Sequence, residues 1–307
     1  MKRWLVYCLI ANFLWAFWSI IPKVKTAAMS DEVMQILSTV GLLAGSLVLL
    51  ASRNIRVGTA FRRGITFAAL TGLCGAVGNY LVLRALDLGG AASLVFPLAG
   101  IFPLVTLALA VTFLRERPAS VQVFGVFVSL VAIALLSGVE SLNADALRQL
   151  AAPWMLYALG ALMLFGLAGI TQKVSTSCIS AELSTVVFAV AFVPVALALV
   201  AFKPGLSWNL PPLDWVIGIG WGALNAVAML VQLAAYASGP AATVTSVAAL
   251  YPAITVLLAV ALFREQLDAH KIVGIVLALI AGVALSREKP PAGQPSGAAS
   301  SVGGSSL

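Results

Sequence analysis

Residues 111–120 read VTFLRERPAS, and residues 261–270 read ALFREQLDAH. In each, an Arg-Glu pair separates two long apolar runs, Arg115 with Glu116 and Arg264 with Glu265. From Arg115 to Arg264 the offset is 149 positions, and at that same offset Gly90 falls on Gly239, Ala92 on Ala241, Pro103 on Pro252, Gly125 on Gly274 and Ser137 on Ser286. One coincidence would mean little. A shared register across two apolar runs points to an internal duplication.

The surroundings of the two copies set the fold class. Of 307 residues, 61% are hydrophobic and 9% charged, with a mean hydropathy of +1.05. An ordinary soluble domain is roughly a quarter charged, so this balance cannot clothe a soluble core. Many apolar tracts approach or exceed the roughly 17–25 residues that cross a bilayer as a helix. Residues 151–169, for example, are apolar on all sides, whereas a membrane barrel strand needs about ten residues of alternating character. Continuous helices satisfy their own backbone in lipid, and an all-α integral membrane protein follows.

Reading apolar tracts between charged or Pro/Gly breaks predicts ten spans, near 4–21, 32–51, 64–83, 90–114 and 119–138, then 152–172, 181–202, 214–235, 241–263 and 268–285. RNIRVGTAFRR separates the second from the third, and KPGLSWNLPPLD, with Pro211 and Pro212, separates the seventh from the eighth. Two five-helix repeats result, over 1–138 and 150–286. The Pro-, Gly- and Ser-rich tail 287–307 carries too little apolar surface for a core, and disorder is expected there. Five is odd, so a duplicated half enters the membrane in the opposite sense, and the repeat is inverted. Oppositely directed halves can exchange conformations to face either side, an architecture common among transporters.

The net charge of +7 and pI of about 9.6 would suggest nucleic acid in a soluble chain. Here they are read as topology, and no nucleic-acid partner is expected. With the amino terminus in the cytoplasm, the first half puts Lys2, Arg3, Arg53, Arg56, Arg62, Arg63, Arg115 and Arg117 inside, against Lys23, Lys25 and Arg84 outside. The second half is less one-sided, with Lys173, Arg287 and Lys289 inside and Arg148, Lys203, Arg264 and Lys271 outside. Both termini are therefore expected in the cytoplasm. Lys2 and Arg3 before an apolar run imitate a secretory signal, but the run is long and Trp-rich and another span follows at once.

The charged pairs that open this reading also find a place. Arg115 suits the negative end of span four, while Glu116 and Pro118 suit the start of span five. Arg264 repeats the first role, and Asp268 can cap span ten. Glu116 and Glu265 are read first as turn and topology residues, with substrate contact or ion coupling as the sharper alternative.

These features, with ALDLGGAASLVFPLAGIFPLVT at 85–106 and YASGPAATVTSVAALYPAITV at 236–256, resemble the drug/metabolite transporter superfamily and its EamA-like ten-helix branch. The family pattern of a turn, small residues entering a helix, a mid-helix proline and a following glutamate matches Ala85, Leu86, Pro103 and Glu116. It matches again at Ala235, Tyr236, Pro252 and Glu265, with Gly125 and Gly274 in the next spans. NFLWAFWSIIPK at 12–23 is similar to the family's first helix, with Ala16 and Phe17 where a Trp-Gly pair is common. The resemblance covers about residues 4–286. It implies an inner-membrane (plasma-membrane) carrier or exporter of small metabolites, often amino acids or related compounds, and leaves the cargo open.

Two stripes are candidates for a pathway. Asn12, Trp15, Ser19 and Lys23 recur at three or four residues and share a helix face. Asn225, Met229, Gln232 and Tyr236 do the same and offer amide, thioether and aromatic contacts suited to a polar solute with an apolar part. Packing between helices explains either stripe equally well. Asn79 and Tyr80 lie late in span three, where an unpaired amide in lipid is costly, so Asn79 should face protein or a wet cavity. Pro103 and Pro252 each remove a backbone donor inside an expected helix and can kink it, as gating candidates or as passive bends. Glu182, near Gln172 and Lys173, is either a solvated helix start or a gating and coupling carboxylate.

Other chemistries find little support. The GxxxG spacings Gly41/Gly45 and Gly218/Gly222 allow close helix contact but mark no cargo and fix no oligomeric state. Cys8, Cys74 and Cys178 fit no metal or redox motif, and His270 stands alone beside the last span. No cofactor, metal site or enzyme activity is therefore expected, and the partners are a small solute and the bilayer, with proton coupling open. The alternatives to a selective carrier are a multidrug efflux carrier and a channel, the latter without repeated filter groups in its favour.

Overall fold

A computed structural model describes residues 3–51, 55, 60–113, 118–136, 152–238, 247–248, 250–285 and 287. Among these the chain is helical, with no strand: α1 Arg3–Ile20, running into a 3-10 turn Ile21–Val24, then α2 Asp31–Leu50, α3 Phe61–Asp87, α4 Ala92–Gly100, α5 Pro103–Phe113 and α6 Ser120–Leu136. After it come α7 Pro153–Thr176, α8 Ala181–Val190, α9 Phe192–Phe202, α10 Pro212–Ser238, α11 Tyr251–Phe263 and α12 Ala269–Leu285.

Seven stretches are long and apolar enough to cross a membrane: Arg3–Val24, Asp31–Leu50, Phe61–Asp87, Ala92–Phe113, Pro153–Thr176, Ala181–Phe202 and Pro212–Gln232. Three shorter apolar helices join them, Ser120–Ile133, Tyr251–Phe263 and Ala269–Leu285. Large apolar side chains such as Phe113, Phe127, Phe202 and Leu257 stand exposed, as expected of a surface solvated by lipid. The chain is a multi-pass membrane protein.

Local chemistry places several boundaries. Ser30 caps α2 by accepting from the Val33 N–H, and Ser180 caps α8 through Leu183 in the same way. The fourth span is broken at Ile101–Phe102, and Pro103 opens α5 where a mid-helix kink was expected. Pro252 likewise stands in the first turn of α11. A proline lacks an N–H, and the first helical turn is where none is needed. A second break, at Ala191 between α8 and α9, was not expected from the sequence. Pro194 three residues on removes the donor that would continue the ladder across it.

Most helix pairs across the two halves come by exchange, while α12 also packs on α4 and α5 of the first half. α1 packs on α10 and α7 on α3; α2 packs on α10 and α8 on α3; α11 packs on α1 and both α4 and α5 on α7. α6 and α12 pack on each other, and here the exchange holds residue by residue. A Cβ on Gly125 would lie 3.1 Å from the Leu285 nitrogen, and one on Gly274 would lie 3.0–3.3 Å from Leu135 and Leu136. The two GxxxG stretches prove to be partners. A Cβ on Gly41 would fall 1.9 Å from the Ile219 oxygen, and one on Gly222 would fall 1.8 Å from the Ser38 oxygen. With lipid tails as apolar as leucine, such backbone approach is what holds helices together in a membrane.

Candidate functional site

The two polar stripes face each other across α1 and α10. Trp15 Nε1 donates to Gln232 Oε1 at 2.7 Å, and Asn12 Nδ2 donates to the Val247 carbonyl at 2.9 Å. One turn further along α1, Trp18 stacks on Trp221 with ring centroids 5.2 Å apart. Trp221 Nε1 donates to the Trp18 carbonyl at 2.9 Å, and Phe96 of α4 meets Trp18 edge-on. Asn225, one turn after Trp221, is buried, and Met229 is half-buried. Tyr236 belongs to the last turn of α10, and its side chain lies outside the described residues.

Several buried polar atoms in this region have no hydrogen-bond partner among the described residues: Asn12 Oδ1, Asn225 Oδ1, Trp18 Nε1, Ser93 Oγ and both amide atoms of Gln35. Buried polar groups are nearly always satisfied, by protein or by ordered water. An open apolar depression lined by Val121, Phe124, Val276 and Ile280 lies elsewhere, between α6 and α12, and includes none of the stripe residues.

Charge gathers at the end of the bundle where α1 finishes. Lys23, the last polar residue of the α1 stripe, lies 2.5 Å from Glu265 Oε1 and over the Phe263 ring. Glu265 also accepts the Ala92 N–H at 3.0 Å on Oε1 and the Ser93 N–H at 2.9 Å on Oε2, so its carboxylate sits on the amino end of α4. Burial pushes the Glu265 carboxyl up, but the Lys23 ammonium and the Ser93 donor outweigh it and hold it below the ordinary glutamate range. Arg264 is the C-cap of α11 in the left-handed conformation, with φ 53°.

Beside this pair runs a second network. The fully buried Asp31 carboxylate meets Lys25 and, at 3.3 Å, Arg84, and both cations also reach Asp87. Glu32 accepts from the Tyr80 hydroxyl at 2.7 Å and pairs with Lys203 at 3.2 Å. Thr26 donates its N–H and hydroxyl to Asp214 in the first turn of α10. Asp31 is buried and Asp87 exposed, so Lys25 and Arg84 tie a buried carboxylate to one at the surface, and the two cations offset part of the cost of burying Asp31.

The sequence candidates thus separate. Asn12, Trp15, Asn225, Met229 and Gln232 come together along α1 and α10. Tyr80 belongs to the charged end, and neighbouring Asn79 is buried. Glu182 is half-buried in the first turn of α8. Asp268 pairs its side chain with Lys271 at 2.9 Å. Glu116 lies outside the described residues. Sequence reasoning missed the Trp18–Trp221 stack and the Asp31, Asp87 and Asp214 network. The available signal was acid at the start of apolar helices, as in SDE at 30–32.

Comparison with known proteins follows this geometry. The sequence model of the EamA-like transporter family matches twice, over residues 2–138 and 152–287. Over 102 residues the chain is 31% identical to the uncharacterized protein MJ1333.1 of Methanocaldococcus jannaschii, covering 33% of this chain and 72% of that one. A solved structure titled only as the crystal structure of a protein superposes with a TM-score of 0.59, at 15% identity, over 93% of this chain and 96% of its own. At that identity the likeness speaks for the fold alone.

Proposed function

The chain belongs to the EamA-like transporter family, and from that premise we propose that it is a secondary carrier or exporter of a small polar or amphipathic metabolite, such as an amino acid or a related compound. A membrane transporter of small solutes is the part that family membership gives. The rest of the reading has two inverted five-helix halves, 1–138 and 150–286, working by alternating access about a site between α1 and α10, with 287–307 as a cytoplasmic tail.

The observation that carries it is the exchange pattern of contacts between the halves. If each inter-half contact has a counterpart with the roles of the halves reversed, a conformation closed at one end implies one closed at the other. Reciprocal packing of Gly125 with Leu285 and of Gly274 with Leu136 supports that relation. In this reading the Trp18–Trp221 stack and the Lys23–Glu265 pair hold the end at Lys23 shut, and opening it requires Glu265 to release both Lys23 and α4. Glu265 is thereby a gating residue, with Glu116, Glu182, Pro103 and Pro252 as further gating or coupling candidates.

Asn12, Trp15, Asn225, Met229 and Gln232 are assigned to the pathway, with Asn79, Tyr80 and Tyr236 beside it. The location proposed is the inner (plasma) membrane of a bacterial-type cell with both termini in the cytoplasm. Protein reconstituted in liposomes should show saturable counterflow of a cargo loaded on the opposite side. A steady conductance independent of any cargo gradient would replace this reading with a channel. Flux under imposed pH and voltage gradients then decides whether protons are coupled.

A further inference from the structure

The geometry points to a carboxylate seat at the amino end of α4, which Glu265 fills while the end at Lys23 is closed and which the carboxylate of the cargo takes when that end opens; this rests on the carrier reading above. Glu265 reaches the seat from the second half of the chain, in the connector after α11. Everything that holds it belongs to the first half. Lys23 Nζ stands 2.5 Å from Oε1, the Ala92 N–H 3.0 Å from Oε1, and the Ser93 N–H 2.9 Å from Oε2. The carboxylate behaves as a ligand on a tether.

Two observations mark the seat as suited to an anion. α4 is nine residues long and its N-cap is Ala91, whose methyl group offers no acceptor, so its own sequence leaves the first N–H donors unmet. Those donors and the helix dipole favour negative charge. Ser93 Oγ, in a residue with no exposure, makes no hydrogen bond of full geometry among the described residues, yet it lies near enough to the Glu265 carboxylate to help hold it ionised, so it faces the same seat as the Ser93 N–H. A carboxylate supported only as a structural cap would need neither that spare hydroxyl nor a lysine from a third element.

Gating and recognition then become one event. When Glu265 leaves, the Ala92 and Ser93 N–H groups and the Lys23 ammonium lose their acceptor beside the Ser93 hydroxyl, which is costly unless a second carboxylate arrives. A solute with a carboxylate stabilises the open end, and a solute without one does not.

The test uses full-length protein in detergent, with acetate as the probe and chloride at equal ionic strength as its control. E265G vacates the seat, whereas E265Q leaves an amide in it. Acetate should raise the Tm of E265G saturably, by about 2–4 °C at high occupancy, and leave wild type and E265Q level with chloride. Adding K23M to E265G should abolish the rise. If E265G does not accumulate, E265S carries the same comparison. Equal responses to acetate and chloride, or equal responses in E265G and E265Q, overturn the seat. Counterflow separates the two readings: transport found only for solutes lacking a carboxylate overturns the assigned cargo class and leaves the carrier standing. Acetate rescue with no counterflow of any solute leaves the seat and removes the carrier.

Discussion

Replacing Gly222 with alanine should cost far more than any other single methyl on α10. A Cβ at Gly222 would stand 1.8 Å from the Ser38 carbonyl oxygen and 2.7 Å from the Leu42 nitrogen, and both are backbone atoms that no rotamer change can move. Ordinary contact begins at 3.4 Å, so α2 and α10 would have to part by about 1.5 Å along the whole crossing. The parting would also loosen Gly41 against Ile219 and Gly218 against Leu37. Overpacking typically costs about 1–3 kcal/mol, and against two backbones the upper end applies, or about 3 kcal/mol. Gly220, two residues away on the same helix, has nothing within 4 Å of its ideal Cβ. G220A should therefore be neutral or stabilising by about 0.5–1 kcal/mol through the helix preference of alanine. Thermal unfolding of both variants in one detergent, followed by circular dichroism, measures the contrast. If G222A and G220A melt together, the close approach of α2 and α10 is wrong.

E265Q should flatten the acid limb of stability. The folded carboxyl is held below its ordinary value, so its contribution is present above about pH 4.3 and is lost as pH falls through the lower folded value; Tm against pH for wild type and E265Q reads the difference. W15F removes the donor to Gln232 and should cost about 1–2 kcal/mol in stability. With N225A, N79A and Q232L at equal abundance, W15F should also alter cargo affinity or selectivity in counterflow, and unchanged kinetics across the group would remove these residues from the pathway. Single cysteines placed near Arg115 and near Arg264, in a chain lacking Cys8, Cys74 and Cys178, should label from opposite sides of intact cells; labelling from one side would reject the inversion.

Fold class was legible because membrane helices announce themselves by length and apolar content, and the duplication because the Arg115–Glu116 and Arg264–Glu265 pairs share a register with five further matches. Helix interruptions were less legible. Pro103 was read as a kink because a proline inside an apolar run looks the same whether the helix bends or restarts. The break at Ala191 goes with Pro194, a proline in an apolar run whose effect on the ladder was overlooked. The α1 and α10 stripes were visible because three- and four-residue spacing is local. Their meeting at Trp15 and Gln232 was not, since it joins residues 217 apart in sequence. The charged end was hidden for the same reason: Asp31 on α2 and Arg84 on α3 are 53 residues apart and meet, with Lys25 and Asp87, only in the folded chain.

The stacked Trp18 and Trp221 are also an optical gauge. One indole belongs to each half, and they stack 5.2 Å apart at an interplanar angle of 12°, each held by the same hydrogen bond from Trp221 to the Trp18 backbone. Two indoles in that arrangement couple their transitions and give a near-ultraviolet dichroism that neither gives alone. If the proposed cycle draws α1 away from α10 at this end, it uncouples them, and the loss of that dichroism would report, without a label, which way the molecule faces.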